Sequence, residues 1–233
     1  MKGLCWSSAV LKLSGELLGG KEGPLDYGAL SFFAREIKEA REAGVTLTVV
    51  MGGGNIARGS ALPHIPETAG HAIGMLSTLI NGVALREALS QAGVPISLFS
   101  ALPCAGVAEG VDPWRAQAAL AEGRVVLLAA GTGNPFVTTD TAAVIRALSL
   151  GAEVVLKGSK VPGVFSADPS KDPQAELFPR LSHGEYLSRG LKVLDPAAVQ
   201  IAAEHGLPIV VFRADREGAL LAALRGEAGS LIG

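Results

Sequence analysis

Cysteine is scarce in this chain: 233 residues hold only Cys5 and Cys104. The two lie far apart and form no CxxC pair, so neither a disulfide framework nor a zinc site is indicated. Aromatic residues are sparse too, at 5%, and neither sign of charge dominates, with 20 Lys and Arg against 22 Asp and Glu. A chain with no basic stripe and few aromatics lacks the usual means of gripping nucleic acid. Long hydrophobic runs are also missing, since Gly, Pro or a charge interrupts each apolar stretch well before the roughly 20 residues of a membrane span. The opening MKGLCWSSAVLKLSG has too short an apolar segment for a signal peptide. These absences predict a protein that partners neither nucleic acid nor membrane and works in the reducing cytoplasm. No linker or composition break appears, so residues 1–233 read as one domain with one sizeable core.

Glycine is plentiful, and its placement is informative. The apolar run Val125 to Ala130 enters GTGNPFVTTDTAAVIRA, residues 131–147, whose later part has helical periodicity at Ala143, Ile145, Ala147 and Leu148. A strand that passes through a glycine turn into a helix leaves backbone N–H groups unpaired beside the positive end of the helix dipole, a natural anion site. Thr132, Asn134, Thr138 and Thr139 add neutral donors, and Asp140 stands near the helix start. Alone, this reads equally well as a capped αβ connection.

Repetition tips the balance. AVLKL, residues 9–13, ends in Ser14-Gly15-Glu16, and its Lys12 sits inside an apolar run. Burying that lysine is costly unless an anion meets it; the alternative is an edge-strand lysine whose head reaches water. VTLTVVM, residues 45–51, runs into Gly52-Gly53-Gly54-Asn55 with Arg58 close behind, a turn that admits close ligand approach beside a phosphate-forking guanidinium. In VVLKGSKVPGV, residues 154–164, Lys157 and Lys160 bracket a glycine, and Phe165 and Asp168 follow. One decoy is set aside: GELLGGKE, residues 15–22, approaches the P-loop pattern, but Glu22 fills the Ser/Thr place and Pro24 stops the helix.

Continuous rather than alternating apolar runs predict strands buried on both faces, hence a parallel sheet between helix layers. Helices are expected over 26–43 and 74–91, after Asp195-Pro196, and over 218–224, with 60–70 a loop and His64 and His71 in or beside it. In such sheets ligands gather outside the carboxyl ends of the strands. Four turns carrying Lys12, Gly53, Gly54, Arg58, Thr132, Asn134, Asp140 and Lys160 can therefore share one crevice. Cations and N–H donors suit two polyanions brought together, the problem posed by phosphoryl transfer to an anionic acceptor, whether phosphate or carboxylate.

LKLSGE (11–16), GGGNIARG (52–59), GMLSTLINGVALREAL (74–89), GTGNPFVTTDTAA (131–143), ADPSKDP (167–173) and GLKVLD (190–195) together resemble the bacterial UMP kinases of the amino acid kinase superfamily, in order along nearly the whole chain. The resemblance implies a three-layer αβα sandwich around a mostly parallel sheet, a homohexamer, and phosphoryl transfer from ATP to UMP with Mg2+. It also implies site residues. Lys12, Leu13, Ser14, Gly15, Gly54, Arg58, Ser159, Phe165 and Asp168 would hold ATP. Gly53, Thr132, Gly133, Asn134, Pro135, Phe136, Val137, Thr138 and Thr139 would hold UMP. Lys12, Arg58, Asp140 and Lys160 would be catalytic. His71 replaces a usual acidic ribose contact, Pro162 a usual Asp and Ala57 a usual aromatic, departures that bear on acceptor affinity rather than fold. The rivals are a superfamily kinase for a carboxylate or carbamate, and a nucleotide-binding storage or sensor protein without turnover.

Overall fold

Strands and helices alternate along the chain in a computed structural model that describes residues 3–57, 64–169 and 171–233. In chain order the strands are β1 (Ser8–Leu13), β2 (Thr46–Met51), β3 (Ile96–Ser100), β4 (Glu109–Gly110), β5 (Val125–Ala129), β6 (Val154–Ser159), β7 (Val164–Phe165), β8 (Leu177–Phe178), β9 (Arg180–Leu181), β10 (Ile209–Arg213) and β11 (Ser230–Ile232). The helices are α1 (Tyr27–Glu42), α2 (Glu67–Gln91), α3 (Pro113–Ala121), α4 (Thr139–Leu150), α5 (His183–Ser188), α6 (Pro196–Glu204) and α7 (Ala219–Leu224). Nine strands form one sheet in the order β4-β3-β5-β2-β1-β6-β10-β11-β9, and β7 pairs with β8 separately. Within that sheet every pairing is parallel except β10 with β11.

Side chains that alternate along each strand feed two cores. Leu11, Leu13, Val49, Leu127 and Leu156 pack with α1, α2 and α7, whereas Val10, Val50, Val126 and Val155 pack with α3, α4, α5 and α6. This is the αβα sandwich that uninterrupted apolar strands require, since a strand buried on both faces needs a helix layer on each. The same alternation settles Lys12. β1 lies between β2 and β6, so the edge-strand alternative fails: Lys12 is 7% exposed in a central strand, on the face shared by Val10 and α4.

Two expectations need correction. The second helix begins at Glu67 rather than near residue 74, so 67–70, expected as loop, are helical and His71 sits on α2. Pro66 occupies the N-cap and, having no need of an N–H there, starts the helix rather than preventing it. With those added residues, α2 is long and apolar enough, at mean hydropathy 1.2, to cross a membrane by length and composition alone, although Gly74, Gly82, Arg86 and Glu87 still interrupt its apolar run. Its inward face is used by the fold: Ser77, Thr78, Leu79, Asn81, Gly82 and Leu85 are buried against β2, β3 and β5. Helices α3 and α5 were not anticipated, although Asp112-Pro113 and a Ser182–Glu185 capping box mark their starts as plainly as Asp195-Pro196 marks α6.

Candidate active site

At the carboxyl end of the sheet's centre, Lys12 and Lys157 are register partners on neighbouring parallel strands. Both are nearly buried, and two ammonium groups side by side repel, so something must separate their charge. Asp140, in the first turn of α4, does so: Lys12 Nζ stands 3.1 Å from its Oδ1 and Lys157 Nζ donates to its Oδ2 at 2.5 Å. The Lys12 approach is an ion pair, with Oδ1 taking no well-aligned hydrogen bond. Burial would raise the Asp140 carboxyl, but the Lys12 and Lys157 charges outweigh it and hold it below the ordinary carboxylate range. Burial pulls the Lys157 ammonium below its usual value, against the attraction of Asp140.

A second ring of contacts fixes this triad from behind. Lys157 Nζ also donates to Val193 O at 2.6 Å, and the Asp195 N–H donates to Asp140 Oδ2 at 3.4 Å. Asp195 caps α6 through Oδ1, while its Oδ2 accepts from the hydroxyls of Thr138 at 2.6 Å and Thr141 at 2.5 Å. Between Val193 and Asp195, Leu194 is clasped by the buried phenol of Tyr186, which accepts its N–H at 2.6 Å and donates to its carbonyl at 3.1 Å. Burial pushes that phenol up to about 12. Tyr186 gave no sequence signal beyond an aromatic residue in a short amphipathic segment. Lys157 did give one much like that of Lys12: a lysine continuing an apolar run.

On one side of the triad opens a crevice of about 350 Å3. Gly53, Gly54, Thr132, Asn134, Phe136, Val137, Thr138 and Thr139 line it, joined by Ala57, His71 and Thr78. Close packing requires glycine at positions 53 and 15. A Cβ on Gly53 would stand 2.7 Å from Gly74 O of α2, and one on Gly15 would meet Asn55 Oδ1 at 2.5 Å and Gly54 N at 2.8 Å. Buried amides hold the turn down: Asn81 Nδ2 donates to Gly52 O at 2.7 Å and to Asn55 Oδ1 at 2.8 Å, and Asn55 returns a bond to Asn81 Oδ1 at 2.9 Å. Thr78 accepts the Ala130 N–H at 2.6 Å, tying the neighbouring turn to the same helix. Thr138 is the N-cap of α4: its oxygen accepts from the N–H groups of Asp140 and Thr141 while its hydroxyl donates to Asp195, leaving that hydroxyl no proton for a ligand. Gly133 adopts φ 84° and Phe136 φ 65°, and Pro135 lies between them in the same loop. The His71 ring meets Phe136 edge-on at 4.8 Å.

On the other side lies a pocket of about 530 Å3 that Phe165, Asp168, Lys171, Arg189, Lys192 and Val193 help to line. Ser159 is buried behind the lining and holds Val161 of the wall, donating to Val161 O at 3.0 Å and accepting the Val161 N–H at 3.2 Å. Lys160 is exposed in the loop after β6 and does not reach Asp140; the second lysine on that carboxylate is Lys157. The Leu13 side chain belongs to the core, leaving its backbone near the site, and Leu13 O accepts the Gly52 N–H at 2.8 Å. Ser14 precedes a short 3-10 turn at Gly15–Leu17, where no P-loop helix follows. Arg58 lies outside the described residues. The buried charged seam touches both recesses through its neighbours: Thr139 of the crevice wall precedes Asp140, and Val193 of the pocket wall accepts from Lys157.

Comparison with known proteins agrees with this architecture. The amino acid kinase family matches residues 8–213. A uridylate kinase of Shewanella amazonensis is 47% identical over 226 residues, 96% of this chain and 94% of that protein. A uridylate kinase of Photorhabdus laumondii is 48% identical over 227 residues, with the same shares covered. Among solved structures, a UMP kinase from Bacillus anthracis has a TM-score of 0.94 at 31% identity, over 98% of this chain and 96% of that one. A UMP kinase from Ureaplasma parvum has a TM-score of 0.92 at 28% identity over the full length of both. With residues 8–213 matched and near-half identity along almost its whole length, the chain belongs to the amino acid kinase family.

Proposed function

We infer that this protein is an ATP-dependent UMP kinase, carrying the γ-phosphoryl group of ATP to the phosphate of UMP. One observation carries the reading beyond the names of the relatives: Lys12 and Lys157 stand side by side on Asp140, between a glycine-walled crevice and a larger pocket. The crevice suits UMP and the pocket ATP. An oxygen of the UMP phosphate attacks the γ-phosphorus; a new P–O bond forms there while the bond to the β–γ bridging oxygen breaks, and ADP departs with that oxygen. No general base is needed, because a phosphate monoester with a second pKa of about 6 is already an anion at neutral pH. Lys12 is placed to spread the charge that develops on the transferring group, and the backbone N–H groups of Gly53 and Gly54 to receive acceptor and donor oxygens.

Asp140 gives both its oxygens to lysines, and among the described residues no three His, Cys, Asp or Glu side chains converge as a metal cluster. The donor set fits Mg2+ that arrives on the phosphates of ATP, where it would neutralise charge, and not a metal held by carboxylates of the chain. The reading includes self-association as a homohexamer, for which the exposed Leu76 and Ile80, four residues apart on α2, offer an apolar contact face. It also includes a cytoplasmic setting, where free Cys5 and Cys104 would stay reduced.

A coupled ADP-release assay against UMP, CMP, acetylglutamate and aspartate tests it. Turnover with UMP well above the carboxylates is expected. Turnover with acetylglutamate or aspartate alone would move the protein to a carboxylate kinase, and ATP binding without ADP release to a sensor. Light scattering of the purified protein checks the hexamer, with a monomer as the contrary result.

A further inference from the structure

Two turns into α4, Arg146 has a position that the reaction as described does not use. It is partly buried, and among the described residues it forms no ion pair. Its Nε is buried without a hydrogen-bond partner, and burial pulls the guanidinium below its usual range. A half-buried cation that nothing neutralises is costly, and arginine usually avoids that cost by extending to water. Here the side chain instead turns back toward the start of the helix and its Nη2 donates to Gly131 O at 3.1 Å.

Gly131 lies in the most constrained turn of the acceptor crevice. Ala130 at φ 59°, Gly131 at φ 57° and Gly133 at φ 84° are all left-handed, and Ala130 is not glycine. Such a conformation persists only where its surroundings hold it. The Ala130 N–H is held by Thr78 at 2.6 Å and its carbonyl by the Gly133 N–H at 2.9 Å. Arg146 holds the next carbonyl. In a trans peptide the N–H points opposite to the C=O, so the unit whose oxygen faces Arg146 turns the Thr132 N–H the other way, and Thr132 lines the crevice. A cation on a carbonyl oxygen polarises the whole peptide and strengthens its N–H as a donor.

We propose that Arg146 is a positioning residue for the acceptor, fixing the Gly131–Thr132 peptide and priming the Thr132 N–H to donate to an oxygen of the acceptor nucleotide. The proposal rests on the UMP kinase reading, which the wild-type protein tests separately by its turnover and calorimetric binding of UMP. Absence of both would remove that reading; the comparison below would then use whichever acceptor the substrate panel selects. With Arg146→Met, KM and calorimetric Kd for UMP should rise about tenfold, the size expected for a charge-assisted bond, while KM for ATP stays within twofold. Arg146→Lys, which can still reach a carbonyl, should recover a large part of the loss. A UMP Kd within twofold of wild type in Arg146→Met would overturn the proposal. So would equal losses toward ATP and UMP with a lowered Tm, which is the pattern of a purely structural arginine. If Arg146→Met does not fold, Arg146→Gln, which removes the charge but keeps a polar side chain, decides alone: selective weakening of UMP supports the proposal and unchanged UMP affinity overturns it.

Discussion

Around the glycine-walled crevice, backbone turns are tied down by side chains: the buried Asn81 on Gly52 and Thr78 on Ala130, and Thr138 on the first turn of α4. The larger pocket differs. Ser166, Ala167, Asp168, Pro169, Lys171, Arg189 and Lys192 are all exposed on its walls, in a stretch of turns and short strands. The crevice, although Asn134, Phe136, Val137 and Thr138 are exposed in it too, has its backbone turns held by buried side chains, whereas the pocket wall is mostly exposed side chains. Preorganisation on the acceptor side means that discrimination there depends on hydrogen bonds whose loss moves a turn, whereas a pocket of exposed side chains tolerates change. The seam of Lys12, Lys157 and Asp140 belongs to neither wall.

Breaking the seam should therefore have the largest effect and blur the comparison altogether. Lys12→Ala should fold and lose on the order of a hundredfold or more in kcat, as when a preorganised charge-stabilising donor is removed; near-normal turnover would take Lys12 out of the mechanism. Asp140→Asn leaves two adjacent buried ammonium groups unneutralised, and removing one member of such a network costs about 3–5 kcal/mol, readable as a lower urea midpoint. The carboxyl titrates near 4 in the unfolded chain and lower in the folded one, so its contribution is complete above the ordinary carboxylate range. It is lost as pH falls through the depressed folded value. Urea midpoints measured from neutral pH downward should show that acid-side loss in the wild type, and Asp140→Asn should lack that part of it.

Sharpening the comparison takes a clamp on one side only. Asn81→Leu keeps the branched shape, at a larger volume, but leaves Gly52 O and the Asn55 amide short of partners, a cost of about 1–3 kcal/mol. KM for UMP should rise several-fold with KM for ATP little changed, and equal changes in both would mean that the two recesses are not built differently.

Much of this was readable from residue order. Strand-to-glycine turns, the lysine inside AVLKL, the acidic first turn at Asp140 and the cap at Asp195 all follow from local chemistry, and they placed the sheet, its polarity and the seam's first lysine. What escaped has a common cause. Asn81, Tyr186 and Arg146 act across the fold, on backbone atoms 29, 8 and 15 residues away in sequence, and a polar residue on a helix gives no sign of what it will meet. Lys157 shows a different failure. It carried the same mark as Lys12, but the more loop-like Lys160 was put forward, and the register that pairs positions 12 and 157 exists only once the strands are side by side.

The finest probe of the contrast is His71, whose α2 position became clear only when that helix was seen to begin at Glu67. Its ring stands edge-on to Phe136 in the crevice wall, its Nε2 is buried with no hydrogen-bond partner among the described residues, and the Glu67 carboxylate is 3.8 Å away. An imidazole there offers a ligand hydroxyl at most one nitrogen acceptor; a carboxylate offers two oxygens and a charge. Because the surrounding wall is already fixed, little of that gain should be spent on reordering it. His71→Asp should therefore lower KM for UMP by a few-fold and leave KM for ATP unchanged. The contrary force is repulsion from Glu67, which is mostly exposed and well screened at physiological salt. An unchanged KM for UMP would mean that the acceptor's hydroxyls are read from another part of the crevice.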